Sequence, residues 1–350
     1  MAKKNLHVCQ ASPIISQYIE FINKHFDSSQ HEFRLFGEQT KCVINPANNI
    51  YVSKGTRLGR MKSYFGLIFY MCCAKKIILH GLSQRVVRIL WAMPWLLRKC
   101  YWVMWGGDLY VYSLGARNNE WKRNEFFRRP VIKKMGTIVS MVEGNYKLAQ
   151  SWYHTDAKYI YSFIYLSNLY KEPLEVKREK SFTQIMIGNS ADPENNHIEI
   201  FEKIKPHLSG DYRIVVPLSY GDVLYAQKVI AIGEKMFGEK MCPMVDFMIY
   251  DEYMEVLNNT DIALYNHKRS QGLGNITDLL GFGAKVYIRS DTTTWGFLHN
   301  VGLDIFDYLS IDSITGDLME GFDSRNNCVV VREVFTLSEL SRQWVSIFNA

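Results

Sequence analysis

Short apolar runs bounded by turn residues alternate with longer amphipathic segments along the first half of the chain. Residues 6–8, 33–36, 77–80, 101–105 and 137–141 read as strands, and 83–99 and 143–153 as helices. The alternation predicts βαβ units on a mostly parallel sheet. The second half restarts the rhythm, with strands at 184–187, 213–217, 245–248, 261–265 and 285–288. Between them, Asp192-Pro193 supplies an N-cap and a first-position proline for a helix towards His207, and helices follow at 225–237, 251–258 and 275–282. The two halves are joined by residues 169–180, a polar stretch with one proline and seven charges. Its composition marks a linker, so two Rossmann-like domains are expected, residues 1–168 and 181–350, with the last helix free to pack back on the first domain.

A chain of 350 residues suits two domains at roughly 100–200 residues each. With 47% hydrophobic residues it is not a disordered or fibrous protein. Seven cysteines without a C-x-x-C pair supply neither a disulfide framework nor a zinc site, and they read as buried thiols of a reducing compartment. Lys3 and Lys4 are not followed by a long apolar run, so no signal peptide is expected. The longest apolar stretch, 64–74, stops after 11 residues, against about 20 for a membrane-spanning helix.

Charge is unevenly spread. Residues 54–134 hold 17 Lys and Arg but three acids, Asp108, Glu120 and Glu125, a net +14 that leaves −8 elsewhere. Five of the eight tryptophans, Trp91, Trp95, Trp102, Trp105 and Trp121, lie in the same stretch together with Tyr101. Basic side chains mixed with indoles suit an anionic membrane surface or a partner rich in phosphates, while a solvated basic face over an aromatic core explains them equally. No helix-turn-helix, RNP or zinc-finger pattern accompanies the charge, so nucleic acid is not the expected partner.

The strand at 261–265 feeds the loop Asn266-His267-Lys268-Arg269-Ser270-Gln271-Gly272-Leu273-Gly274, and a helix opens at Asn275. Glycines admit a ligand close to the backbone, helix N-terminal amides point at it, and Lys268 or Arg269 can neutralise phosphate oxygens. The arrangement reads as a diphosphate cradle, although it is neither a Walker nor a full G-x-G-x-x-G motif and turn chemistry alone also accounts for the glycines. A second loop, Gly188-Asn189-Ser190, ends the first strand of the same domain, and Tyr220 follows a third strand, placed to stack on a base or bond a phosphate. In an open α/β sheet such loops share one crevice. In the first half, Asp108 stands just past Gly106-Gly107 at a strand's carboxyl end, either as a general base or as a helix cap. His7 lies in the first strand and His80 ends another; each alone suits a structural histidine as well as a catalyst. H-E-x-x-H, G-x-S-x-G and Asp-x-Asp are all absent, which removes support for metalloprotease, serine hydrolase and carboxylate-paired, metal-dependent sugar transferase chemistry.

Taken together, Trp105-Gly-Gly-Asp108-Leu-Tyr110, Gly188-Asn-Ser190 with Asp192, Asn195 and His197, Val216-Pro217 with Tyr220, and Arg269-Ser-Gln271-Gly272-Leu-Gly274 resemble one family. It is the bacterial 4-acetamido-4,6-dideoxy-galactosyltransferases of enterobacterial common antigen synthesis, the TDP-Fuc4NAc:lipid II transferases of glycosyltransferase family 56. The likeness covers about residues 6–295, with His7-Val8 and His80-Gly81 in place. This loop reads Arg-Ser-Gln-Gly where the family usually has Arg-Gln-Gln-Gly, and residues 38–75 and the last 50 match poorly.

The resemblance implies a GT-B fold, two Rossmann-like domains facing across a cleft. A dTDP-sugar donor is expected on the C-terminal domain and a polyprenyl-diphosphate-linked acceptor on the N-terminal one, in a protein peripheral to the cytoplasmic face of the inner membrane. Donor binding carries over to Gly188, Asn189, Ser190, Tyr220, Arg269, Gln271, Gly272, Gly274 and Asn275, and a catalytic or acceptor-side role to Asp108, with His7 and His80. No metal or other cofactor is expected: guanidinium, amides and helix dipole would stabilise the departing diphosphate. Alternatives are another GT-B transferase, a UDP-sugar epimerase, or a non-catalytic module for polyanions or membranes.

Overall fold

The computed structural model describes the chain except residues 1–3, 37–43, 46, 54–56, 174–178, 314–317, 319 and 321, and the side chains of 57, 58, 60 and 61. Part of the expected 169–180 linker falls outside the described residues. The chain divides into two compact units, residues 1–167 with 337–350, and residues 168–336.

The first unit contains β1 (Asn5–Gln10), α1 (Pro13–His25), β2 (His31–Phe36), β3 (Ile50–Val52), α2 (Arg57–Cys73), β4 (Lys76–His80), α3 (Gln84–Ala92), β5 (Cys100–Val103), α4 (Gly107–Tyr110), α5 (Asn119–Lys133), β6 (Thr137–Ser140), α6 (Glu143–Tyr153) and β7 (Lys158–Tyr161). Among the described residues its strands form one parallel sheet in the order β3-β2-β1-β4-β5-β6-β7. Side chains of α2, α3, α5 and α6 join alternate strand residues in one core: Leu67, Val87, Leu90 and Ile132 pack with Leu6, Leu79, Trp102 and Ile138. The expected single helix over 83–99 is broken. Proline cannot donate to the helix ladder and disfavours helical backbone before it, so α3 ends at Ala92, Met93 turns out of helical geometry and a 3₁₀ segment starts at Pro94.

The second unit contains β8 (Thr183–Ile187), α7 (His197–Ile204), β9 (Tyr212–Pro217), α8 (Val223–Phe237), β10 (Met241–Met244), α9 (Tyr250–Asn258), β11 (Ile262–Tyr265), α10 (Leu273–Gly281), β12 (Lys285–Ile288), α11 (Thr293–Val301), β13 (Phe306–Asp307) and α12 (Arg325–Val334). Among the described residues its strands are parallel in the order β10-β9-β8-β11-β12-β13. The strand expected at 245–248 lies instead at β10, where Met241 to Met244 pair with Ile214 to Pro217 and Val245 and Phe247 are exposed in the loop that follows. Pro243 is tolerated there because β10 is an edge strand. The expected helix from Asp192 towards His207 is interrupted: Asp192 caps a 3₁₀ turn, Asn196 takes the left-handed conformation at φ 52°, and α7 starts only at His197.

The last helix, α13 (Leu337–Asn349), belongs to the first unit. Trp344 Nε1 donates to the Ile164 carbonyl at 2.9 Å, and the Phe163 amide donates to Gln343 Oε1 at 2.7 Å.

Candidate active site

In the second unit, the loops after β8, β9 and β11 meet at the carboxyl ends of adjacent strands. Asn195, wholly buried, ties two of them together. Its Oδ1 accepts from the Asn189 amide at 2.9 Å and from His267 Nε2 at 2.8 Å, and its Nδ2 donates to the Asp192 carbonyl at 3.0 Å. Burial, with Arg269 and His197 nearby, pushes His267 down to about 3, so the ring is neutral and serves as a donor. The β9 loop joins through the Ala191 amide, which donates to the Tyr220 carbonyl at 2.8 Å.

Gly188 sits at φ +68°, and a Cβ on it would come within 2.6 Å of both Asn195 Oδ1 and His197 Nε2. Its missing side chain therefore makes room for the protein's own second layer. Asn189 reaches both flanks of the loop cluster: its Nδ2 faces Tyr220 OH at 3.5 Å, and its Oδ1 faces Gln271 Nε2 at 3.5 Å. Ser190 Oγ accepts from Asn195 Nδ2 at 3.3 Å. Gly272, at φ +69°, is the N-cap of α10, and among the described residues no side chain caps that end. The amides of Leu273, Gly274 and Asn275 thus open the helix towards the loops, where the macrodipole favours an anion. Asn275 itself is turned to α9, donating to Tyr253 OH at 2.6 Å.

Arg269, expected to neutralise phosphate oxygens, is already paired within the protein. Its NH2 contacts Asp192 Oδ2 at 3.1 Å and its Nε contacts Glu194 Oε2, so two carboxylates from the β8–α7 segment hold the guanidinium. Lys268 is exposed. Nearby, two buried polar atoms lack a hydrogen-bond partner among the described residues, His197 Nε2 and Gln271 Oε1. Native proteins rarely leave such atoms unpaired, and here they border the loop cluster.

In the first unit, Asp108 opens α4 at the carboxyl end of β5. Its Oδ2 accepts from Trp102 Nε1 at 2.6 Å and the Leu82 amide at 3.1 Å, and its Oδ1 from the Trp105 amide at 3.0 Å. Burial raises its pKa although these donors and Arg128 oppose the shift. The carboxylate thus clamps the β4–α3 loop to the β5–α4 loop. His7 and His80 lie deeper, in a buried chain. Tyr165 OH meets His80 Nδ1 at 2.7 Å, His80 Nε2 meets His7 Nδ1 at 3.2 Å, and His7 Nε2 meets His31 Nδ1 at 3.0 Å. Trp105 Nε1 donates to the same Tyr165 hydroxyl at 2.8 Å. Burial lowers all three imidazole pKa values, His80 to about 3 and His31 to about 4. With both ring nitrogens engaged and no exposed surface, His7 acts on anything outside only through its neighbours.

Sequence reasoning did not single out Tyr165, Glu194 or Tyr253. Glu194 stands two residues from Asp192 in a motif already noted, whereas Tyr165 reaches His80 across 85 positions and left no local pattern.

Two successive parallel α/β units, the second carrying a glycine-bearing loop cluster at its strand ends, define a GT-B fold. Solved structures share it. HepE from Anabaena in complex with UDP-glucose is 8% identical, with a TM-score of 0.69 over 98% of this chain and 99% of that one. WaaG, a glycosyltransferase involved in lipopolysaccharide biosynthesis, is 11% identical, with a TM-score of 0.58 over 97% and 93%. A putative UDP-N-acetylglucosamine 2-epimerase from Listeria monocytogenes is 10% identical, with a TM-score of 0.58 over 99% and 95%. Residues 73–329 match the family described as 4-alpha-L-fucosyltransferase, glycosyl transferase group 56, and the chain belongs to that family. It is a glycosyltransferase.

Proposed function

We propose that the protein moves a Fuc4NAc-like deoxyamino sugar from a dTDP-sugar to a polyprenyl-diphosphate-linked saccharide in the synthesis of enterobacterial common antigen or an O-antigen. The work is done peripherally on the cytoplasmic face of the inner membrane, without a metal ion. The observation that carries the reading is the cluster formed by Gly188-Asn189-Ser190, Tyr220, Arg269, Gln271 and the uncapped start of α10. Its parts match what a departing nucleoside diphosphate requires: a guanidinium, convergent amides and a helix N-terminus.

On donor binding, Arg269 exchanges Asp192 and Glu194 for phosphate oxygens, and the amides of Leu273, Gly274 and Asn275 receive the rest of the charge. As the glycosidic bond to the diphosphate breaks, negative charge grows on the leaving group. Each such preorganised donor is typically worth about 3–4 kcal/mol of barrier. On the acceptor side, Asp108 is the base or orienting group for the attacking hydroxyl, its raised pKa making it a better proton acceptor. His7 and His80 support it indirectly, through Tyr165 and Trp105.

Purified protein incubated with dTDP-Fuc4NAc and a polyprenyl-diphosphate-linked acceptor should release dTDP and glycosylate the lipid, and Arg269→Ala should lose nearly all of it. Conversion of the nucleotide sugar with no acceptor present would point to an epimerase instead.

A further inference from the structure

The outer side of the α2, α3 and α5 layer carries an apolar and basic face that the described residues leave exposed. We propose that this face docks on an anionic lipid bilayer, with Trp91, Trp95 and Phe126 entering the headgroup region and Arg85, Arg88, Lys122 and Arg123 on the lipid phosphates. It rests on the reading above only in that a lipid-linked acceptor gives the docking its purpose.

The helices dictate the face. On α3, Val86, Val87 and Leu90 point into the core, which leaves Arg85, Arg88 and Trp91 on the opposite side at helical spacing. On α5, Glu125, Arg128, Val131 and Ile132 are buried, so Lys122, Arg123 and Phe126 face out. Trp91 joins the two outer surfaces: its ring lies 5.9 Å from Phe126 and 5.2 Å from Phe127, and the Arg88 guanidinium lies 5.6 Å above Phe127. Arg85, 6.0 Å from the Tyr64 ring, brings α2 alongside with Phe65 and Phe69 one turn apart. The exposures are large for such side chains: 43% for Trp91, 64% for Trp95, 63% for Phe126, 70% for Phe65 and 52% for Phe69.

Charge decides the occupant. The acids of residues 54–134 are Asp108, Glu120 and Glu125. Asp108 is clamped at the sheet end and Glu125 is buried against Arg128, which leaves Glu120 as the acid in solvent. A protein partner would have to bring matching acids together with a large apolar patch. An anionic bilayer offers both at once: indoles settle at headgroup depth, phenyl rings go deeper, and each base near the surface multiplies binding by roughly fivefold. Nucleic acid would use the bases but has no need of Phe65, Phe69 and Phe126 in solvent.

The test is flotation of the full chain with vesicles of phosphatidylcholine alone or with 30% phosphatidylglycerol. Binding to the anionic vesicles should exceed binding to neutral ones at least tenfold. Arg85→Glu with Arg88→Glu, Lys122→Glu and Arg123→Glu should cut it more than tenfold. Trp91→Ser with Trp95→Ser and Phe126→Ser should cut it several-fold with charge unchanged, and Lys228→Glu with Lys235→Glu on α8 should leave it intact. Circular dichroism melts confirm that each variant is folded. Equal binding to both vesicles, or variants that float like the parent, would overturn the proposal. So would a single-stranded oligonucleotide bound as tightly as the anionic vesicles and indifferent to the aromatic substitutions. Vesicle binding without sugar transfer would sink the functional reading and leave this face standing.

Discussion

Arg269 NH2 and Asp192 Oδ2 are 3.1 Å apart, linking the loop after β11 to the segment after β8 across 77 positions of sequence. Together with Glu194 this pair neutralises the cation that a diphosphate would use. The carboxylates fix the guanidinium in place and also compete with the ligand. Removing the cation and removing a competitor should therefore act in opposite directions. Arg269→Ala is expected to weaken dTDP binding by tenfold or more, and Glu194→Gln to strengthen it two- to fivefold, both read by isothermal titration calorimetry.

Gly188→Ala should be costly to stability even with no ligand bound. A methyl group would press on Asn195 and His197 at 2.6 Å, and the φ of +68° disfavours any L side chain. A loss of about 2–4 kcal/mol is expected, a fall of several degrees in the melting temperature. A variant melting within a degree of the parent would contradict the packing described for this loop.

Much of the frame was legible in the chain because it rests on local pattern. The strand at 285–288 and the helix at 143–153 follow from an apolar run and a 3.6-residue period, and both stand where the pattern puts them. The break at Pro94 was legible in principle, since proline chemistry is local, yet amphipathic spacing continues through it to Leu96 and Leu97 and hides the turn. β10 was misplaced because Val245-Asp246-Phe247-Met248 looks more strand-like than a run containing Cys242-Pro243, while pairing with β9 chooses the latter. In the candidate site, the glycines and Arg269 announce themselves by type and position. The neighbours of Arg269 do not, nor does the Tyr165–His80–His7–His31 chain, because each contact is set by which strands lie side by side.

That chain makes a pH prediction. Burial depresses the pKa values of His7, His31 and His80 and, in the second unit, of His197 and His267: His31 and His197 to about 4, His80 and His267 to about 3, and His7 well below the usual imidazole range. A depressed histidine adds stability above the unfolded value near 6.5 and loses it as pH falls towards the folded one. Unfolding near pH 5 should therefore be accompanied by the uptake of roughly five protons by these rings, with stability falling about 1.4 kcal/mol for each ring per unit fall in pH. His7→Gln should lower the uptake by about one, measured from the pH dependence of denaturant midpoints.

Asp278 carries the opposite sign. Burial pushes its carboxyl up to about 7 although the Lys171 amide and charge oppose the shift, and its Oδ1 has no hydrogen-bond partner among the described residues. A raised acid favours folding below the unfolded value near 4, and that contribution is lost as pH rises through 7. Asp278→Asn should raise the melting temperature by several degrees at pH 8 and change it little at pH 4. An equal shift at both values would remove the titration as its cause.

The most direct test of the donor site is a crystal of the protein soaked with thymidine diphosphate. Density for both phosphates should lie beside residues 188–190 and 269–275, with Arg269 swung from Glu194 to a phosphate oxygen. Clear density anywhere else, or a bound diphosphate that leaves Arg269 on its two carboxylates, would contradict the account.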